Sequence, residues 1–281
     1  MSKRLKNSII GIIIVAVLGI IAWFSFVGNS AKTDNKVTIG IMSGTKNDDE
    51  FWNAVKKSAK DRYGLDIEYK KFTDYSAPNR ALEQKQIDLD AFQHFAFLNN
   101  WNKSNKSNIV SIGETYLKPM KIYSNKYKSV KDIPENSKII IPNDTTNESR
   151  ALYLLKNAGL IKLSSGSNFK GINDITENKK NLKIKEVDAS QTARSLNDVA
   201  ASVVNTNFAI SANLTKKQTI FTEPLNKDSK QWVNFVAANK DQKNNEKYKK
   251  VVKSIQNKDI EKVIKKIYGD KYIPAWNKTF K

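Results

Sequence analysis

Cysteine is absent from the chain and histidine occurs once, at position 94. The first absence excludes disulfides, thiolate zinc sites, iron–sulfur clusters, a cysteine nucleophile and a lipid-modified N-terminal cysteine. The second excludes a multi-histidine metal site, so a metal would have to rest on carboxylates and carbonyls; no metal and no cofactor is expected. Also missing are a Gly-x-Ser-x-Gly elbow, a Walker loop, a dinucleotide glycine fingerprint and a second histidine for a relay, which argues against an enzyme. The pairs Asp88/Asp90 and Asp48/Asp49 remain as acid–base candidates, but such pairs are ordinary at turns and strand ends.

Lysine is abundant. The 281 residues hold 48 Lys+Arg against 28 Asp+Glu, a formal charge of +20, and 40% are hydrophobic, enough for one large domain or two ordinary ones. The lysines run through every segment after residue 31 and are mixed with acids, as at Lys46, Asp48, Asp49 and Glu50. Without an RNP-like or basic-aromatic signature they read as a solvated face, with no nucleic-acid partner. Attraction to an anionic envelope would be screened beyond about 8 Å at physiological salt.

Residues 1–8 carry Lys3, Arg4 and Lys6, and Ile9 to Val27 then run without a charge, ending in Trp23, Phe24 and Phe26. About 20 apolar residues at a rise of 1.5 Å span a bilayer core, whereas a cleavable signal has an apolar region of about 7–15. The segment therefore reads as a transmembrane anchor, with a cleaved signal, cut near Ala31, as the alternative. The basic N-terminus stays cytoplasmic and the bulk of the chain is extracellular, giving a single-pass protein of the cell membrane.

After a linker over 28–36 the pattern is α/β. Val37 to Met42 is a buried strand, Phe51, Trp52, Val55, Ala59 and Tyr63 mark a helix stopped by Gly64, and Leu65 to Phe72 is the next strand. A short helix (78–84), a strand (88–92), a helix (95–101) and a strand (109–113) continue the series, which the chain leaves at 118–124. A second series has strands at 138–141, 182–187 and 201–205 and helices at 149–157 and 194–198; residues 245–268 are helical. Two series predict two lobes, 37–117 with 238–281 and 118–237, with a ligand cleft between them.

Phe72-Thr73-Asp74-Tyr75 and Ala91-Phe92-Gln93-His94 end two strands, where open α/β sheets bind ligands. Taken alone, Tyr75 and Phe92 read as core or rim aromatics, and a lone His94 as a structural hydrogen-bonded residue. Pro142 to Arg150 follows a strand and opens a helix, a suitable anion site with Arg150 as a bidentate clamp. Ordinary capping by Asn143, Asp144 or Thr145 and a solvated Arg150 are the alternative. Asn205 and Asn234 end or interrupt apolar strands, where a buried amide needs a partner and a ligand would serve.

At these residues the sequence resembles the MetQ/NlpA family of substrate-binding proteins, the methionine-binding components of ABC importers, over residues 36 to 281. The matching stretches are Phe72-Thr73-Asp74-Tyr75, Pro78-Asn79, Ala91-Phe92-Gln93-His94, Pro142-Asn143-Asp144, Thr146-Asn147, Arg150, Ala158-Gly159-Leu160-Ile161-Lys162-Leu163 and Arg194-Ser195-Leu196. The resemblance implies a two-lobed, type II periplasmic-binding-protein-like fold and a monomer that delivers methionine to a permease driven by ATPase subunits. It implies further that Arg150 holds the ligand carboxylate with Asn147 near it, and that Asn205 and Asn234 hold the head group. Tyr75, Phe92, His94 and Phe97 would line the side-chain pocket, where aromatic faces suit a thioether.

The chain departs from the family pattern in three places. Ile9 to Val27 replaces the lipidated cysteine, Phe97 stands where many members have tyrosine, and Thr145 and Ser149 replace proline and glycine. The missing hydroxyl at Phe97 bears on substrate identity: a methionine-containing dipeptide or another apolar amino acid is the alternative ligand. A surface protein binding polyanions is the rival outside this class.

Overall fold

The computed structural model describes residues 35–166 and 169–280. The N-terminal residues 1–8 and the apolar segment 9–27 lie outside the described residues. No helix among the described residues is long and apolar enough to cross a membrane.

The first apolar run is strand β1 (Lys36–Met42), followed by helix α1 (Lys46–Tyr63). Asp48 Oδ2 accepts the Thr45 backbone N–H at 2.8 Å at the start of α1, and Gly64 ends it at φ 66°, a conformation open to glycine without a side-chain clash. Next come β2 (Asp66–Phe72), α2 (Ala77–Glu83), β3 (Leu89–Asp90), α3 (Phe95–Asn105) and β4 (Ile109–Leu117). The middle of the chain forms β5 (Lys121–Tyr123), β6 (Lys138–Pro142), α4 (Thr145–Asn157), β7 (Lys162–Leu163), β8 (Ile175–Glu177), β9 (Lys183–Val187), β10 (Ala201–Val204), α5 (Thr206–Ser211) and β11 (Thr219–Thr222). The last elements are β12 (Val233–Asn239), α6 (Glu246–Ile255), α7 (Lys258–Tyr268) and β13 (Ile273–Pro274).

Two mixed sheets organise these strands, apart from β7 and β8, which pair with each other. The first has the order β13-β4-β12-β3-β1-β2 and the second β11-β5-β10-β6-β9. Parallel pairs, β1 with β3 in one and β6 with β9 and β10 in the other, lie beside antiparallel ones. Each sheet has its own apolar core. Ile39, Ile41, Phe51, Val55, Val236, Val251 and Ile264 pack under the first, and Ile122, Ile139, Ile141, Leu152, Leu155 and Val203 under the second.

Four details differ from the sequence-based expectation. Helix α4 begins at Thr145, not Ser149, because Asp144 caps it by accepting the Asn147 N–H. The segment Arg194–Asn197 is a 3-10 turn. The C-terminal helical stretch is two helices, because Asn257 caps a fresh start by accepting the Asp259 and Ile260 N–H groups. Strand β12 pairs with β4 and β3, so Val233–Ala237 belong to the first sheet, and a boundary at 237/238 cuts that strand. Its apolar run signalled a strand, but not which sheet would receive it.

Candidate functional site

Between the two sheets lies a cavity lined by aromatic, amide and cationic side chains, the kind of concave site with a few convergent polar groups that small molecules occupy. Strand ends build it from both sides. Tyr75 follows β2, Phe92 and His94 follow β3, Asn147 and Arg150 stand on α4 after β6, and Asn205 follows β10. With Phe97 from α3 and Asn234 from β12, all the sequence-selected site residues line this one cavity. Crevices beyond the C-terminal ends of parallel strands are where such sheets bind ligands.

The aromatic wall is mutually supported. Tyr75 lies with its ring centre 6.0 Å from both Phe92 and Phe97, and Phe92 meets Phe97 edge-on at 5.9 Å. The Tyr75 hydroxyl donates to Asn207 Oδ1 at 2.5 Å, joining the first-sheet side to the helix that follows β10. Burial raises the Tyr75 pKa well above the ordinary phenol value, so this hydroxyl stays a donor.

His94 caps α3. Its Nδ1 accepts the Phe97 N–H at 3.1 Å, which leaves the proton of the neutral ring on Nε2, facing Asn147 Oδ1 at 3.4 Å. Burial, reinforced by the Arg150 charge, lowers its pKa to about 3, so the ring is neutral at physiological pH. The loop that carries His94 is fixed from behind. Gln93 donates to Asn79 Oδ1 at 2.7 Å and to Asp90 Oδ1 at 3.0 Å, and Asn79 returns a bond at 3.1 Å. Burial pushes Asp90 up to about 7.

Asp88 accepts from the Thr38 N–H and the Tyr248 hydroxyl, and Asp48 from Thr45 and the Tyr268 hydroxyl. These bonds give Asp88, Asp90 and Asp48 structural employment.

The polar wall centres on Asn147. Its Oδ1 accepts from Asn205 Nδ2 at 2.7 Å, and its Nδ2 donates to both oxygens of Asp144. Asn234 Nδ2 donates to the Phe92 carbonyl at 2.8 Å, tying β12 to the loop after β3. Two buried polar atoms in cavity-lining residues have no hydrogen-bond partner among the described residues: Asn205 Oδ1, an acceptor, and Asn207 Nδ2, a donor.

Arg150 stands where the chain passes between the sheets. Its Nε donates to Glu223 Oε1 at 2.7 Å, and Nη2 donates to Glu223 Oε2 at 2.5 Å and to the Lys118 carbonyl at 3.1 Å. Trp232 stacks on the guanidinium at 4.8 Å. Lys118 and Met120 lie on the first passage and Glu223 and Trp232 on the second; Met120 and Glu223 bond each other through two N–H donors. The solvated alternative for Arg150 is excluded, because its side chain is only 5% exposed.

Gln93, Lys118, Met120, Thr206 and Asn207 also line the cavity and were not singled out from the sequence. Asn207 carried a usable signal, two residues after Asn205 at the end of an apolar strand. Glu223 carried none, since an acid between a strand end and Pro224 reads as an ordinary turn residue.

Two sheet-based layers enclosing a cavity of aromatic and amide side chains at their strand ends define a substrate-binding protein of the α/β type. The chain belongs to the NlpA lipoprotein family, whose model matches residues 37–276. It is 38% identical over 253 residues to the D-methionine-binding lipoprotein MetQ of Salmonella typhi, covering 89% of this chain and 92% of the relative. A solved substrate-binding protein of a methionine transporter from Streptococcus pneumoniae superposes with a TM-score of 0.82 at 43% identity, over 86% of this chain and 96% of that one. A nutrient-binding protein from Burkholderia cenocepacia, solved bound to methionine, gives 0.80 at 39% identity, over 85% and 99%.

Proposed function

We propose that this chain is the extracytoplasmic substrate-binding protein of an ABC importer, not an enzyme, and that it holds methionine in the cavity between the sheets. One observation carries the reading. The cavity offers an unsatisfied acceptor, Asn205 Oδ1, and an unsatisfied donor, Asn207 Nδ2, beside a guanidinium and an aromatic wall. An α-amino acid with an apolar side chain satisfies all of these together: its ammonium donates to Asn205, its carboxylate accepts from Asn207 and Arg150 Nη1, and its thioether lies among Tyr75, Phe92 and Phe97. Asn147, Asn234 and His94 hold these groups in place.

The lobes are residues 37–117 with 233–281, and 118–232, hinged at the two passages in the manner of type II binding proteins. The closed form is what the permease and its ATPase subunits read, and the protein works as a monomer. Since the chain has no cysteine to carry a lipid, the apolar segment 9–27 anchors it as a single transmembrane span. Extraction with alkaline carbonate should leave the full-length protein in the membrane pellet; release into the supernatant would exclude the span.

A thermal melt of the full-length chain in mild detergent tests the ligand. L-methionine at about 100 times its dissociation constant should stabilise by about 2.7 kcal/mol, a clear rise in Tm, and leucine should do much less. An unmoved Tm with methionine overturns the reading. A second reading, a methionyl dipeptide, is favoured by a second hollow that adjoins the cavity and shares Phe92, Lys118 and Asn207 with it. Glycyl-methionine in the same melt separates the two.

A further inference from the structure

Lys118 is the cation that this reading leaves without a task. It follows β4 on the first passage, and it lines both the main cavity and the adjoining chamber. Its ammonium lies 5.2 Å from the Tyr116 ring centre and 5.3 Å from that of Tyr272, contacts that hold a cation without neutralising it.

The other cavity cation is already neutralised. Arg150 is paired to Glu223 through two nitrogens, with side chains 5% and 10% exposed, so a ligand carboxylate placed on Arg150 meets a dipole and not a net charge. Among the described residues Lys118 has no carboxylate within 4.0 Å. The nearest acidic influence, Asp48 on α1, already accepts from the Thr45 N–H and the Thr45 and Tyr268 hydroxyls. The charged or titratable groups facing Lys118 are thus Asp48, Arg150 with Glu223 behind it, neutral His94, Tyr116 and Tyr272.

We propose that Lys118 determines specificity in this cavity: its ammonium is the net positive charge that selects ligands with a free carboxylate, while Arg150 supplies directional hydrogen bonds. The proposal rests on the methionine reading above. Burial, opposed by Asp48 and assisted by Arg150, lowers the Lys118 pKa to about 8, the direction expected of a cation short of anionic neighbours. A bound carboxylate supplies that neighbour.

The test is calorimetry on the full-length chain and on Lys118→Met and Lys118→Arg, each titrated with L-methionine and with L-methioninol, which lacks the carboxylate. Lys118→Met should weaken methionine binding about tenfold or more, leave methioninol binding unchanged or tighter, and be rescued by Lys118→Arg. A disturbed fold would weaken both ligands alike, and that result, or unchanged methionine affinity in Lys118→Met, overturns the proposal. The wild type's response to methionine is read in the same titrations. Silence there defeats the functional reading and the proposal with it, whereas binding indifferent to position 118 defeats the proposal alone. The affinity lost in Lys118→Met should also shrink as the pH is raised past 8; the ammonium of methionine titrates in both proteins and cancels in the comparison.

Discussion

Arg150 shows how a single residue serves both the cavity and the fold. Removing it leaves Glu223 as a buried unpaired carboxylate, and breaking a buried pair in this way costs roughly 3–5 kcal/mol. Arg150→Ala should therefore lower the midpoint of denaturant unfolding as well as methionine affinity. Pairing Arg150→Met with Glu223→Gln should restore much of the stability and none of the binding. Recovery of both in the double variant would show that the guanidinium does not touch the ligand.

His94 and Asp90 make opposite demands on pH. The folded pKa of His94, about 3, lies below its ordinary 6.5. The unfolded chain thus binds the extra proton between those values, and stability present above pH 6.5 is lost as the pH falls toward 3. Asp90 is raised to about 7 from 3.8, so its contribution is present below 3.8 and lost as the pH rises through 7. His94→Gln should flatten the acid limb of unfolding free energy against pH, and Asp90→Asn the neutral limb, by on the order of a few kcal/mol each. Unchanged slopes in either variant would remove that residue from the account.

At the scale of elements, the close approach of α6 to β4 depends on Gly113, where an added Cβ would collide with Val252. Gly113→Ala should cost about 1–3 kcal/mol in unfolding free energy while methionine affinity stays within twofold, since the contact lies away from the cavity. A variant as stable as the parent would show that α6 has room to shift. Element type was largely readable in the chain: β1, α1 with its glycine stop, and β6 follow from β-branched runs and helical spacing. Two features were not readable. The early start of α4 depends on which polar residue caps it, and four successive candidates stand in Asn143-Asp144-Thr145-Thr146. The sheet that receives β12 depends on long-range pairing, which an apolar run such as Val233–Asn239 does not encode.

For the whole molecule, the cavity residues chosen from the sequence came together because they sit where strands end, a local property that composition and spacing reveal. Lys118 and Glu223 escaped for a different reason, since their importance arises from passages that meet only after both sheets have formed. Tyr75 to Asn207 and His94 to Asn147 are bonds across the cavity between residues far apart in the chain. Tyr75→Phe removes the first of them and should weaken methionine binding about three- to tenfold, a loss of roughly 0.5–1.5 kcal/mol, seen mainly as faster dissociation in stopped-flow fluorescence. Equal dissociation rates would place that bond outside the closing motion.

The most direct measurement is calorimetry on the full-length chain, freed of carried-over ligand by unfolding and refolding in mild detergent, against L-methionine, D-methionine, glycyl-methionine and leucine. L-methionine should bind with a dissociation constant of about 1 μM or tighter, worth about 8 kcal/mol, and leucine should show no measurable binding. Silence from all four ligands in a protein shown to be folded would contradict it.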